Sequence, residues 1–305
     1  SSCASGLPAN MPAQGLTNMA RLPGSDVLTV RYQRGTGWPL PPGQCFRGGT
    51  PLSPSDNLLA GDSLVVSPQT GDDLVSRMVT TTPPAAVLVT DCVNSNILPV
   101  AAVAANKVTL GGIGGVLANA PAQVCLGNGT RDVRLFDFSN DFVTVSYYVG
   151  LREDLNPDAR RNSAAAKRLI PTLIRRENGQ EQELVQGVDV MRLHYGVQDN
   201  AGNTRFMTAA QVNAAAISTC PPQPDGVKIE PGCMWRAVRT IEVHLLMNTV
   251  SEVVNLDTES RQYAFDGAPR TTGVTVSTLL PSGLAAGSMM RREFVGYVSN
   301  RNYTF

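Results

Sequence analysis

The residues of this chain whose type and spacing speak most directly of chemistry are its 6 cysteines, at positions 3, 45, 92, 125, 220 and 233. None forms a CxxC pair, and the chain has only 2 histidines, so the thiolate and imidazole spacing of a zinc module is absent. An even, widely spaced set fits disulfides formed in an oxidising compartment. Pairing sequence neighbours gives Cys220–Cys233, Cys92–Cys125 and Cys3–Cys45, with buried free thiols as the other reading. A bridge closing a loop of about 15 residues contributes on the order of 3 kcal/mol.

Other constellations reduce to turn and surface chemistry. Asp154, Asn156 and Asp158 open like a calcium loop, but Ala159 stands where the sharp turn needs glycine and Ala165 where a bidentate glutamate closes the site. Asp199, Asn200 and Asn203 are rich in oxygen, and turn formation explains them more simply. His194 and His244 fall on strands and read as sheet-surface residues; no G-x-S-x-G elbow accompanies them. The GGIGG run at 111–115 is followed by no Lys-Ser/Thr, so it reads as a glycine-kinked turn or strand rather than a phosphate loop. Asn128-Gly129-Thr130 and Asn302-Tyr303-Thr304 match a short glycosylation sequon and receive no function, while Arg175-Arg176 and Arg291-Arg292 read as solvated strand ends. No catalytic, cofactor-binding or metal-ligating residue is assigned, and the chain reads as a non-enzyme without a cofactor.

The elements that would position these residues are mostly strands. The chain has 305 residues, enough for a sizeable core, with 25 basic and 25 acidic residues and a formal net charge of zero. That balance argues against nucleic acid or an anionic membrane surface as partner. Abundant glycine (28) and proline (21) favour short strands and many turns. Asp26–Gln33, Asn57–Val66 and Ala85–Thr90 read as strands, as do Val133–Phe138 and Asp141–Val149, taken as a pair, the second central with both faces covered. Asn178-Gly179 predicts a hairpin between Leu169–Glu177 and a return strand over Gln180–Val188. From Trp235, alternation places Trp235, Ala237, Ile241, Val243, Leu245 and Met247 on one face, and Arg236, Thr240, Glu242 and His244 on a wet one. Thr208–Ala216 is the convincing short helix, capped by Thr208, and Met290–Tyr297 is the final strand. No apolar run of membrane length and no signal peptide is apparent.

In order along the chain stand YYVG at 147–150, LIRRENG at 173–179, ELVQGVDVMRLHYG at 183–196, a Phe-Met-Thr-Ala-Ala helix start at 206–210, WRAVRTIEVHLLM at 235–247 and RREFVGYVSNRN at 291–302. This order resembles the PilW family, minor pilins of bacterial type IV pili related to the J-type minor pseudopilins of type II secretion. The resemblance covers roughly the second half of the chain; the ELVxGV…YG block and the terminal RR-x-F…RN are its most specific parts. Asp26-Val27-Leu28 and Asp91-Cys92 match more weakly, and Cys3 looks like the cysteine that follows the family's N-terminal helix. The chain departs from the pattern in showing no prepilin signal or long N-terminal helix, and in running on through Tyr303-Thr304-Phe305.

The resemblance implies an α+β pilin-like fold, mainly β here: one periplasmic head domain over 1–305 with antiparallel sheets, one or two short helices and the pilin helix absent. It implies assembly rather than catalysis, with roles in pilus biogenesis, twitching motility and adhesion. The partners implied are other minor pilins, a tip adhesin, the major pilin, and the inner membrane through the missing helix. The location implied is the periplasm and inner membrane of a Gram-negative bacterium, then the surface pilus tip. Two other readings remain: a type II secretion minor pseudopilin, and a secreted ligand-binding β-module with Trp38 and Trp235 as ligand platforms.

Overall fold

A computed structural model describes residues 7–53, 56–67, 74, 85–91, 95–112, 132–154, 168–216, 218, 220, 232–251, 253, 261–267, 273–284 and 287–299. Contacts group the chain into two compact units: Arg31–Thr144, and Ser1–Val30 with Val145–Phe305. The sequence reading takes 1–305 as one head. Among the described residues, no helix is long and apolar enough to cross a membrane.

After β1 (Leu28–Gln33), which straddles the boundary, the unit 31–144 contributes β2 (Trp38–Pro39), β3 (Cys45–Arg47), β4 (Thr50–Pro51), β5 (Ser63–Val65), β6 (Ala86–Thr90), β7 (Ser95–Ala104), β8 (Lys107–Leu110) and β9 (Arg134–Asp137). These form one antiparallel sheet in the order β2-β9-β6-β7-β8-β5-β3-β4. Strand β7 serves two neighbours: Ser95–Pro99 pairs with β6, and Val100–Ala104 with β8 across a bulge after Val100. Proline has no N–H to give a ladder and is tolerated beside such an irregularity. The core gathers Trp38, Leu64, Leu98, Val108, Leu110 and Leu135. Of the Asn57–Val66 segment, only Ser63–Val65 is a strand. The turn before it is held by Asp62, which is 1% exposed. Its carboxylate accepts from Arg47 Nε (2.9 Å) and Nη2 (2.8 Å) and from the Leu59 backbone N–H (2.8 Å).

The expectation that Val133–Phe138 and Asp141–Val149 pair with each other is corrected. Between them stands α1 (Phe138–Asp141), N-capped by Asp137, whose side chain accepts from Ser139 and Asn140 N–H. That turn redirects the chain. β9 pairs with β2 and β6, while β10 (Phe142–Glu153) joins a different sheet.

The unit formed by 1–30 and 145–305 holds two four-stranded sheets. In the first, of order β1-β10-β11-β12, β1 and β11 (Leu169–Glu177) flank the largely buried β10, and β12 (Gln180–Gln186) is the outer strand beyond β11. The Asn178-Gly179 turn has φ of +46° and +94°, the left-handed pair that a type I′ hairpin requires. The return strand stops at Gln186, not Val188, because Gly187 (φ +78°) carries the chain into the second sheet. Gly187 N–H donates to Pro171 O (2.8 Å) and its carbonyl accepts from Asn248 N–H (2.7 Å). A Cβ there would stand 2.8 Å from Asn248 O, so only glycine fits.

The second sheet runs β14-β13-β15-β16, with β13 (Val188–Gln198), β14 (Thr204–Met207), β15 (Val238–Asn248) and β16 (Arg291–Ser299). One face, with Met191, Leu193 and Val197, packs on a core that includes Leu22, Val149, Leu151 and Met234. It also buries Val212 of α2 (Ala209–Ala214), whose N-terminus carries a full capping box between Thr208 and Gln211. The opposite face, expected to be wet, is covered in part: Val190 and Leu246 pack with Tyr263, Phe265 and Leu280, and with Val276 of α3 (Val276–Leu279). A second correction concerns Trp235 and Ala237. They precede the strand, in a 3-10 turn over Cys233–Ala237, and β15 begins at Val238. The observed architecture is thus mainly antiparallel β with short helices.

The Arg47 hydrogen bonds hold the Asp62 carboxyl below its ordinary value of 3.8, helped by Leu59 N–H and opposed by burial. A depressed folded-state pKa means that the pair stabilises the fold fully above 3.8 and loses that contribution as pH falls through the lower folded value. Asp62→Asn should therefore lower the melting temperature at neutral pH. The gap to wild type should close on acidification below 3.8. A gap that stays constant from neutral pH to pH ~2 would refute this linkage.

Candidate functional site

The second sheet is held in register by polar groups at one end. Arg291, the first residue of β16, places its Nε 2.6 Å from Asp189 Oδ2 on β13, with the two side chains 0% and 2% exposed. Asn248, the last residue of β15, donates from Nδ2 to Asp189 Oδ1 (2.7 Å). Its own Oδ1 accepts from Val250 N–H (2.7 Å), and Arg291 Nη1 donates to Met289 O (3.1 Å). Burial pushes the Asp189 carboxyl up, while Arg291 and Asn248 work against that shift. Arg291 is therefore no solvated strand end, and that reading is corrected. Arg175 does lie partly exposed, ion-paired to Glu177.

Along the same sheet face lie both histidines of the chain. Register pairs His194 with Glu242 and Arg192 with His244, and the two imidazole centroids are 5.2 Å apart. His244 is buried rather than on the surface, a further correction. Its Nδ1 lies 2.7 Å from Glu293 Oε1, and that oxygen also accepts from Asp266 N–H (2.8 Å). His194 Nε2 lies 3.0 Å from Asp266 Oδ1. Asp266 has a left-handed φ of +54° and precedes Gly267, also left-handed, in a tight turn that directs its carboxylate at the sheet. Ligand atoms of His194, His244 and Asp266 lie within 4.8 Å of one another. Asp266, Glu242 and Glu293 were not singled out from sequence; the one signal is the Asp-Gly turn dipeptide at 266–267.

The sheet's outer strand offers a different kind of surface. β16 ends the strand order, and its Phe294, Val295, Tyr297 and Val298 are 45% to 64% exposed. Tyr297 donates to Glu242 Oε1 (2.7 Å) and its ring lies 6.2 Å from that of exposed Phe206 on β14. Phe206 can lie over the sheet because Gly196 is beneath it: a Cβ there would come within 3.2 Å of its ring. At the start of β16 a cleft of about 730 Å³ runs between Met247, Thr249, Tyr263, Met290, Arg292 and Phe294. The edge of the first sheet is of another character. β12 reads QEQELVQ, and its Glu181 and Glu183 bind Arg152 of β10 at 2.7 and 3.0 Å.

Cys220 and Cys233 are disulfide-bonded, Cα to Cα 5.9 Å, as the spacing predicts. Cys45 is also disulfide-bonded. Cys3, Cys92 and Cys125 lie outside the described residues, and so do Asn156, Asp158, most of the GGIGG run and both sequons. Asp199 behaves as a turn residue, its Oδ1 accepting from Ala201 and Asn203 N–H, each at 2.9 Å. Trp38 is 1% exposed, inside the core of its unit. Trp235 packs edge-on against Tyr195 (4.7 Å) and donates to Asn213 Oδ1 (2.6 Å). Trp38 cannot act as an exposed ligand platform, and Trp235 serves as a packing anchor.

Residues 147–302, just over half of the chain, match the sequence profile of type IV pilus-assembly protein W, PilW. No curated protein and no solved structure gives a significant match. The matched stretch lies wholly within the unit 1–30 and 145–305, and includes Asp189, Asn248 and Arg291.

Removing one partner of a buried ion pair strands the other charge, at a cost of about 3–5 kcal/mol, whereas replacing both with apolar residues is often neutral. Arg291→Ala should therefore lower the unfolding free energy by that amount, read as a lower urea midpoint at unchanged m-value, and Asp189→Leu with Arg291→Met by much less. A loss below ~1 kcal/mol for Arg291→Ala would show that the pair does not organise the sheet.

Proposed function

This chain belongs to the PilW family of type IV pilus-assembly proteins, and we propose that it acts as a minor pilin in the tip complex that primes the pilus. In this reading it is a head with pilin-like architecture, carried in the native protein by an N-terminal helix in the inner membrane. It faces the periplasm before assembly and the cell surface afterwards. Its partners are sibling minor pilins, the major pilin and a tip adhesin. Its work is structural, with no reaction and no cofactor, in support of twitching motility and adhesion.

The observation that carries the proposal is β16. Most sheet edges in soluble proteins are blunted by charge, proline or bulges because an open edge templates pairing with another chain. β12 follows that rule. The later part of β16, Phe294 to Val298, has no charged residue and leaves four large apolar side chains exposed, inside the family-matched stretch. Strand addition at such an edge joins two chains through main-chain hydrogen bonds, with side-chain fit setting which partner is accepted. A role as a type II secretion minor pseudopilin would use the same surface; loss of enzyme secretion, rather than of pili, would separate the two.

A gene deletion should abolish surface pili and twitching, and the wild-type gene should restore both. Val298→Lys places a charge on an exposed position, where substitutions usually cost no more than ~0.5 kcal/mol. It should leave the isolated protein folded and fail to restore piliation. Full piliation by a deletion strain, or full rescue by Val298→Lys together with Val295→Lys, would count against the proposal.

A further inference from the structure

We propose that His194, His244 and Asp266 form a binding site for a divalent cation of the zinc class, independent of the assembly role. The chain has 2 histidines in 305 residues, and both converge here from neighbouring strands. Their ligand atoms and that of Asp266 lie within 4.8 Å of one another. Ligands in a tetrahedral zinc site lie about 3.4 Å apart, as follows from bond lengths near 2.1 Å, so small side-chain rotations close the set.

Two unpartnered atoms point to a ligand. The His244 side chain is 8% exposed, yet its Nε2 makes no hydrogen bond, and neither does the buried Asp266 Oδ1. Oδ1 is only 3.0 Å from His194 Nε2, but the two do not meet in hydrogen-bonding geometry. Buried polar atoms without partners are costly, and a cation between them would satisfy all three groups at once.

The surroundings are those of a metal site. A neutral His244 imidazole that donates its Nδ1–H to Glu293 Oε1 carries its lone pair on Nε2, the atom available to a cation. The same Glu293 oxygen holds the Asp266 backbone N–H, so one residue orients two ligands. Glu242 adds a second carboxylate, its Oε1 3.5 Å from His244 Nε2. Two imidazoles and a carboxylate suit zinc, nickel or cobalt rather than calcium or magnesium. Entry is through a cleft of about 420 Å³ that His194 and Asp266 line. Arg192, also on that cleft, is turned to the Gly24 carbonyl and to Asp26 Oδ1 (3.8 Å). A bound cation would staple the turn at Asp266 to β13 and β15.

The test uses the tag-free, chelator-treated chain with its histidines labelled with nitrogen-15. Titration with Co(II) should saturate at one equivalent with visible absorption of a low-coordinate cobalt centre, bleached by Zn(II). Zn(II) should shift both Nε2 resonances; with only 2 imidazoles in the chain, the assignment is direct. His194→Gln and Asp266→Asn should each weaken binding at least ~10-fold. Glu293→Gln, a positioning change, should weaken it ~10–100-fold while leaving the metal-free melting temperature within a few degrees. Absence of stoichiometric binding, or binding that leaves either Nε2 unshifted, would overturn the proposal. The wild-type resonances decide the matter even if a variant fails to fold.

Discussion

The buried ion pair between Asp189 and Arg291 is the contact on which the larger unit depends. It joins the second residue of β13 to the first residue of β16, with Asn248 at the end of β15 as the third member. A pair so fully withdrawn from water adds little net stability, because desolvation offsets the attraction. It fixes register. A slip of one residue in β16 would turn every side chain to the other face and leave a bare carboxylate in the core. Gly187 stands two residues before Asp189 and hands the chain from one sheet to the other, tied by its own carbonyl to Asn248. The two most distinctive blocks of the sequence, ELVQGVDV and RREF, are therefore one structural feature read at two places in the chain.

Local features were legible in the sequence. The Asn-Gly hairpin, the Thr208 cap, the Cys220–Cys233 bridge and the central position of β10 each follow from chemistry within a short stretch of chain. Long-range features were not. Arg291 reads as a solvated terminus because its partner lies 102 positions away. Alternation along β15 shows which residues share a face, not what covers that face. The cover comes from the 261–284 region, whose short helix and turns have no periodicity to detect. The same blindness hid the histidine cluster: His194 and His244 were visible as residues, but Asp266 and Glu293 come from elements that no spacing connects to them. Trp235 and Ala237 fit the alternation by coincidence, since the bridge-constrained 3-10 turn before β15 continues the pattern without continuing the strand.

Two sheet edges in this unit follow opposite rules. On β12, glutamates are consumed internally: Glu181 accepts from both Arg152 and buried Tyr148, whose hydroxyl titrates higher because it is desolvated and bonded to that carboxylate. That edge is anchored inward and carries mostly polar side chains, with Leu184 and Val185 exposed among them. On β16 the charges sit at the start of the strand, Arg291 buried, Arg292 over the Phe294 ring and Glu293 against His244, while Phe294 to Val298 is uncharged and open. An open apolar edge can template pairing with another strand, whereas a charged one resists it.

The Cys220–Cys233 bridge has a mechanical meaning. It joins two points separated by 13 positions in sequence and 5.9 Å in space. Any tension transmitted along the chain from α2 into β15 passes through the sulfur atoms and bypasses the peptide between them. Roughly 40 Å of chain is thereby withheld from extension. Under load the stretch between the two cysteines pays out no slack while the bridge holds.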